Sequence, residues 1–341
     1  MMNTRFLKVV RWVSQISHSN SNIVKYSLVG LIIICIILPL RCPTGRGYHY
    51  VTFSHLEEDI YVCDIGGKES STSLQTCPLI PKNLERYSSV KTSVNETALK
   101  TLSQKLSIKP GGKWKPTHCN PQHHVALIVP YRDRKLQLDV FLKHIHPFLQ
   151  KQLLNYGIYV VEQSSIHKFN RAKLFNIGFV EALKDSNYCC FIFHDVDLLP
   201  ESPRHIYTCS KQPRHMCSAL DTFRYVLPYP GLFGGVIAIT RHQFERVNGF
   251  SNVFFGWGGE DDDFCNRILN MGYSITRWEP SLSRYTMLFH SKAVPDPNRI
   301  HFLRSGYQRY STDGLNSLKY KVVERQHKSL YTWLLVDVKP E

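Results

Sequence analysis

The chain has 341 residues, enough for one large or two modest domains, and its 43% hydrophobic and 12% aromatic content excludes global disorder. A formal charge of +15 would suit nucleic acid or an acidic membrane surface. The distribution argues against nucleic acid: residues 1–41 carry five basic residues (Arg5, Lys8, Arg11, Lys25, Arg41) and no acid, and the rest are scattered without a block among 27 acids.

Residues 26–40 (YSLVGLIIICIILPL) form an uncharged run bracketed by Lys25 and Arg41. At ~1.5 Å per residue it spans ~22 Å, short of a ~30 Å hydrocarbon core, yet workable in the thinner early secretory membranes with both flanking cations snorkelling. The alternative is a cleaved signal peptide, but the leader before the run is too long and no small-residue cleavage site follows. The mainly N-terminal basic flank puts the N-terminus in the cytosol and the rest in the lumen, as a type II signal-anchor. Ten cysteines without a C-x-x-C pair fit an oxidising lumen better than a zinc ribbon. Cys35 and Cys42 are candidates for palmitoylation or for a homodimer bridge. Asn95-Glu96-Thr97 is the sole glycosylation sequon. Between Cys42 and about Leu74 the text is polar, turn-rich and weakly patterned (GGKESSTS at 66–73), and it reads as a stem rather than a folded domain.

From Val125 the pattern sharpens. VALIVPY (125–131) is a buried strand; Leu136, Leu138, Phe141, Leu142, Ile145 and Phe148 have helical spacing. GIYVVEQ (157–163) is a second strand, FNRAKLFNIGFVEAL (169–183) a helix, CCFIFHDVDLLP (189–200) a third strand, LFGGVIAIT (232–240) a fourth, and the acid-led stretch after Gly259 a further helix. This alternation predicts an α/β sheet with crossovers, whose ligands bind beyond the carboxyl ends of the strands.

Asp195-Val196-Asp197 closes the third strand. In extended chain the two carboxylates share a face and repel unless a cation intervenes, which points to magnesium, calcium or manganese; a loop-initiating acid pair is the plain alternative. In Gly256-Trp257-Gly258-Gly259-Glu260-Asp261-Asp262-Asp263, three glycines around an aromatic make a mobile loop able to stack on a sugar. Capping a helix needs one carboxylate, whereas four adjoining ones raise one another's pKa, as a general base requires. Arg132 and Arg134 in PYRDR (130–134) are equally well read as phosphate ligands or as a solvated loop. His290 reads by default as a surface histidine and Met287 as core, since a thioether is not the choice for a hard cation.

PYRDR, FNRAKLFNIGF, HDVDLLP, FGGVIAIT, GWGGEDDD, MLFHS and PDPNRIHFL, with DGLNSLKY (313–320), follow the order and spacing of the β-1,4-galactosyltransferase family, which the chain resembles from about Cys77 to its end. The resemblance implies a GT-A (Rossmann-like) fold with a mixed central sheet, in a Golgi membrane protein divided into tail 1–25, anchor 26–40, stem 41–76 and luminal catalytic domain 77–341. It implies inverting transfer of a sugar from a UDP donor to the 4-hydroxyl of terminal N-acetylglucosamine. Manganese would be held by Asp197, Met287 and His290, which revises the residue-level reading of the last two. Pro130, Tyr131, Arg132, Arg134, Phe169, Arg171, Asp195 and Val196 would hold the donor nucleotide. Asp261 would be the base, Glu260 and Asp262 acceptor contacts, and Trp257 a closing lid, with Tyr229, Gly258, Gly259 and Arg299 near the sugars. The family's disulfides would pair Cys77 with Cys119 and Cys190 with Cys209, leaving Cys63, Cys189, Cys217 and Cys265 unassigned.

Two departures from the family pattern stand out. The loop after His290 is a few residues shorter than in vertebrate members. Leu232 stands where galactosyl-transferring members carry Tyr, whereas invertebrate members that transfer N-acetylgalactosamine carry Ile or Leu. A Tyr hydroxyl crowds the sugar's 2-position, and a shorter aliphatic makes room for an N-acetyl group. The expectation is therefore UDP-GalNAc as donor. UDP-galactose is the nearest rival, a xylose-directed branch with a different GWGGEDDD loop ranks third, and an inactive glycan-binding protein on the same fold is the alternative of another class.

Overall fold

The structure, a computed structural model, describes residues 48–63, 74–291 and 293–340. The expected tail, the anchor at 26–40, Cys35, Cys42 and the stem's residues 41–47 and 64–73 lie outside the described residues. Among those described, no helix is long and apolar enough to cross a membrane.

The strands are β1 (Tyr48–Val51), β2 (His124–Tyr131), β3 (Asn155–Gln163), β4 (Cys190–His194), β5 (Leu198–Pro200), β6 (Arg214–His215), β7 (Ala219–Leu220), β8 (Val236–Thr240), β9 (Ile275–Trp278), β10 (Arg284–Met287), β11 (Lys321–His327) and β12 (Thr332–Asp337). The helices are α1 (Leu56–Asp59), α2 (Glu96–Lys105), α3 (Lys135–Lys151), α4 (Arg171–Asp185), α5 (Arg241–Arg246), α6 (Glu260–Asn270) and α7 (Arg299–Arg304). Nine strands form one mixed sheet in the order β1-β9-β6-β8-β4-β2-β3-β12-β11, and β5-β10-β7 form a small second sheet.

The apolar run of β2 has no polar face because the sheet is covered on both sides. Val125, Leu127 and Val129 join one core with Phe141, Leu142 and Ile145 of α3. Ala126 and Ile128 point the other way and pack with Leu174, Phe175 and Ile177 of α4 and with Phe264 and Ile268 of α6. The two-residue period of the strand thus sorts its side chains between two helical layers. β2, β3 and β4 run parallel, so their carboxyl ends share one edge of the sheet.

Three expectations need correction. The third strand does not run from 189 to 200: β4 stops at His194, the Asp195 N–H donates to Gly235 O (3.1 Å), and the chain turns with Leu198 N–H on Asp195 O (3.3 Å). Leu198–Pro200 then pairs with β10 in the second sheet, so Asp195 and Asp197 do not share a face of an extended strand. The fourth strand begins only at Val236, and Leu232 sits in a turn with its N–H on Tyr229 O (3.2 Å). Residues 48–63, expected within a stem, are folded into the domain. β1 pairs in parallel with β9, Tyr61 N–H bonds Cys209 O (2.9 Å), and Cys63 forms a disulfide with Cys189. Burial explains the change, since Leu56 and Ile60 enter the core. Cys77–Cys119 and Cys190–Cys209 are bridged as the resemblance implied, and Cys217 and Cys265 are free and buried.

Candidate active site

The polar residues singled out above gather at the shared carboxyl edge of β2, β3 and β4. Arg171, the first residue of α4, links two of its elements. Its Nε donates to Asp195 Oδ1 at 2.6 Å, its Nη1 lies 3.5 Å from Glu260 Oε1, and its guanidinium stands 4.6 Å over the Phe175 ring. Burial alone would weaken that cation, but Asp195 and Glu260 together hold it more firmly charged than a free arginine. The end of β4 and the start of α6 are thereby locked at fixed spacing.

Gly259, at φ +92°, caps α6 without a side chain, a backbone state that glycine adopts at little cost. The first turn of the helix then carries Glu260, Asp261, Asp262 and Asp263 in its positive dipole field. Burial pushes the Asp261 carboxyl up to about 7, with Glu260 and Asp262 adding to the rise and Arg171 opposing it. Glu260 is also raised by burial, and its Oε2 is buried with no hydrogen-bond partner. Gly234 makes the position of Asp261 possible, because a Cβ there would lie 2.4 Å from Asp261 Oδ2. Asp262 accepts a hydrogen bond from the Tyr229 hydroxyl at 2.9 Å.

The second sheet assembles the other cluster. Met287 pairs with Leu198, Leu288 N–H bonds Asp197 O (2.7 Å), and His290 Nδ1 comes to 2.9 Å from Asp197 Oδ2. Burial first, then Asp195, raise the Asp197 carboxyl to about 6, against the pull of His290 and Arg134. Among the described residues no three His, Cys, Asp or Glu side chains form a metal-binding group. A carboxylate and an imidazole nonetheless meet here, oxygen and nitrogen donors that suit a divalent ion such as manganese, and the Met287 backbone pairs beside them with Leu198. Met287 is itself held by its N–H on Asp221 Oδ1 (3.0 Å), with the Thr222 hydroxyl 3.9 Å from its sulfur.

Pro130 and Tyr131 end β2 and are buried, and Val196 is buried in the turn between the two aspartates. Arg132 donates to His167 O (2.7 Å) and lies 5.2 Å over the Phe169 ring, so it braces that loop, whereas the charge of Arg134 acts on Asp197. Phe169 O in turn accepts from Gly256 N–H (2.8 Å). Trp257 is 55% exposed and bridges by backbone to the segment beyond His290, with Asp296 N–H on Trp257 O (3.0 Å). Arg299, at the start of α7, packs so closely on Gly258 that a Cβ there would meet its Cδ at 2.8 Å. Asn95 is exposed and caps α2, accepting from Thr97 N–H at 2.9 Å. Sequence reasoning did not single out Gly234 as the seat of Asp261, nor Arg277, which is 1% exposed and donates from Nη2 to Pro230 O and Leu232 O, both at 2.8 Å. The Gly234-Gly235 pair was a visible signal for the first; nothing in the sequence marked the second.

Residues 77–210 match the model described as the N-terminal region of glycosyl transferase group 7, and residues 214–291 match the N-terminal domain of galactosyltransferase. β1 and α1 precede both matches. Human β-1,4-galactosyltransferase 6 is 46% identical over 244 residues, covering 70% of this chain and 63% of its own length. Mouse β-1,4-galactosyltransferase 1 is 48% identical over 234 residues (68% and 59%), and pig β-1,4-galactosyltransferase 5 is 40% identical over 307 residues (84% and 78%). The first two matches thus span less than two thirds of those relatives. Among solved structures, the catalytic domain of Drosophila β1,4-galactosyltransferase 7 in complex with xylobiose is similar at TM-score 0.56 and 30% identity, over 64% of this chain and 95% of that one. A mutant of that enzyme in complex with manganese, UDP-Gal and xylobiose gives 0.54 and 27% over the same shares.

Proposed function

From the premise that this chain belongs to the β-1,4-galactosyltransferase family and has its GT-A-type fold, we propose that it transfers N-acetylgalactosamine, with inversion, from UDP-GalNAc to the 4-hydroxyl of terminal β-linked N-acetylglucosamine. The observation that carries the reaction type is Asp261, a buried carboxyl pushed up to about 7 beside two more acids. It takes the proton of the acceptor hydroxyl, whose oxygen attacks the anomeric carbon on the face opposite the departing UDP. Glu260 Oε2, buried and unpartnered, is the acceptor for a second sugar hydroxyl, and Asp262 with Tyr229 bounds the same side. Asp197, Met287 and His290 would hold manganese, which when bound neutralises charge on the leaving diphosphate. Arg171 keeps Asp195 and Glu260 in place, and the donor lies along Pro130, Tyr131, Arg134, Phe169 and Val196.

Leu232 supports the N-acetylated donor, because a half-buried aliphatic in that turn leaves room that a phenol would fill. UDP-galactose is the second reading, favoured by the names of the galactosyltransferases reported above. We further place the protein in the Golgi membrane with its folded domain luminal, in keeping with three disulfides and the apolar run at 26–40.

The test offers the full chain both donors with manganese and a GlcNAc-terminated acceptor. Faster transfer from UDP-GalNAc is expected, along with loss of turnover in EDTA and its recovery on adding manganese. Preference for UDP-galactose would turn the reading to the second donor, and turnover that persists without metal would remove the assigned metal site.

A further inference from the structure

The strap that was expected to be a stem reaches the back of the donor-selecting turn. β1 pairs Tyr48 with Ile275 and Tyr50 with Arg277 at the edge of the large sheet. The Tyr48 ring lies 4.4 Å from the Arg277 guanidinium, and its hydroxyl is 3.5 Å from Cys265 Sγ, one helical turn beyond Asp261 on α6. Arg277 grips the carbonyls of Pro230 and Leu232 with one nitrogen and donates from Nε to His215 Nδ1 at 3.2 Å. The turn it grips carries Tyr229, which is bonded to Asp262, and Leu232. The strap is latched behind this contact by Asp59 on Trp278 Nε1 (2.8 Å) and by the Cys63–Cys189 disulfide.

We propose that Tyr48 is a positioning residue for sugar selection: by covering Arg277 it keeps the guanidinium clamped on the 230–232 carbonyls and so fixes where Leu232 and Tyr229 meet donor and acceptor. This rests on the transferase reading above. A buried guanidinium facing an aromatic ring is held by cation–π attraction and by exclusion of water. Without the ring, water competes with both carbonyls for the same N–H groups, and the turn gains freedom while Asp261 and the Asp197 cluster stay in place. Selection is a difference of affinities, so it is lost before catalysis is.

The experiment compares full-length wild type with Tyr48→Leu, Tyr48→Phe and His49→Ala, the last an exposed neighbour on the same strand. For Tyr48→Leu the ratio of kcat/KM for the two UDP-sugars should move toward unity by about five- to tenfold and acceptor KM should rise about as much, with kcat within about threefold. Tyr48→Phe should restore both, and His49→Ala should change neither. The donor ratio is internal to one preparation and is indifferent to how much protein folds; if the leucine variant does not accumulate, Tyr48→Met carries the same reading. Amide exchange across 229–235, expected to be about tenfold faster in Tyr48→Leu, reads the clamp without turnover. If wild type used neither donor, the transferase reading would fall while exchange still decided the role of Tyr48. An unchanged ratio with unchanged exchange would overturn the inference, as would a loss of kcat equal for both donors at constant KM.

Discussion

Asp261 and Asp263 are two residues apart on α6, in the same helical turn, and burial raises both carboxyls, yet their charged neighbours differ. Asp263 faces inward, with Arg267 Nε at 2.8 Å on Oδ2, and Arg267 continues to the backbone oxygen and carboxylate of Asp313. Asp313 in turn accepts from the Ser251 hydroxyl and the Asn252 N–H. Asp261 faces the sheet edge with acids on either side, offset by the charge of Arg171 and by the Asp262 N–H on its Oδ1 (3.0 Å). The contrast separates a charge that is paired to hold a helix in place from one left under strain to take a proton. It also says where sequence changes should cost activity and where they should cost stability.

The largest effect expected is on the sheet-edge side of this comparison. Asp261→Asn should lower kcat by about 10³-fold while leaving binding of the UDP-sugar and the melting temperature undiminished. Turnover within tenfold of wild type would break the contrast, because Asp261 would then be another capping acid. On the inner side, Arg267→Leu takes the close cation from Asp263 and leaves Asp313 only Arg309 Nε at 3.6 Å, and should destabilise the domain by about 3–5 kcal/mol. The molecules that remain folded should turn over within a few-fold of wild type, as thermal melts and active-site-normalised rates would reveal.

Leu232 and Phe233 repeat the contrast without charge. Phe233 is fully buried against Phe264, whereas Leu232 is half-buried in the turn. Leu232→Tyr should shift donor preference toward UDP-galactose by about 10- to 100-fold with little change in melting temperature, while Phe233→Ala should cost about 3–5 kcal/mol. A donor ratio that ignores Leu232→Tyr would sharpen the comparison by moving sugar selection away from this turn.

The inner half of the molecule was largely legible in its sequence. β2 and β3 announce themselves as apolar runs, α3 and α4 by helical spacing and α6 by the acids that lead it, and the bounds expected for β2, β3 and α4 differ from those observed by one or two residues. β1 did not, because four residues have no usable period and their partners in β9 lie more than two hundred positions away. Cys63–Cys189 was equally hidden, since spacing does not determine connectivity. The break after His194 was missed because an unbroken apolar text, FIFHDVDLLP, is compatible with one strand or with two in different sheets. At the site, Asp261 and its neighbours were legible as chemistry, whereas Met287 and His290 were not. The β5–β10 register sets Met287 opposite Leu198 and brings His290, just beyond it, to Asp197, and only the family resemblance pointed to these two residues.

The remaining effect expected is on pH, and it tests both sides of the comparison at once. The folded carboxyl of Asp261 titrates at about 7, well above the roughly 3.9 of an unfolded aspartate. As a base it must be ionised, so log kcat/KM should climb with unit slope toward pH 7 and level off above it. Stability runs the other way. A group whose folded pKa is raised favours the native state fully below its unfolded pKa, and that contribution falls away as pH rises to the folded value. Between about pH 4 and 7 wild type should therefore lose stability relative to Asp261→Asn, and above 7 the gap should stay constant. Melting both proteins across this range, alongside a kcat/KM profile of wild type, separates the outcomes. Opposed slopes ending at the same pH would identify one carboxyl as both the base and the strained group. A rate profile that levels off at a different pH from the stability gap would mean that the proton leaves the acceptor by another route and that Asp261 is strained for some other end.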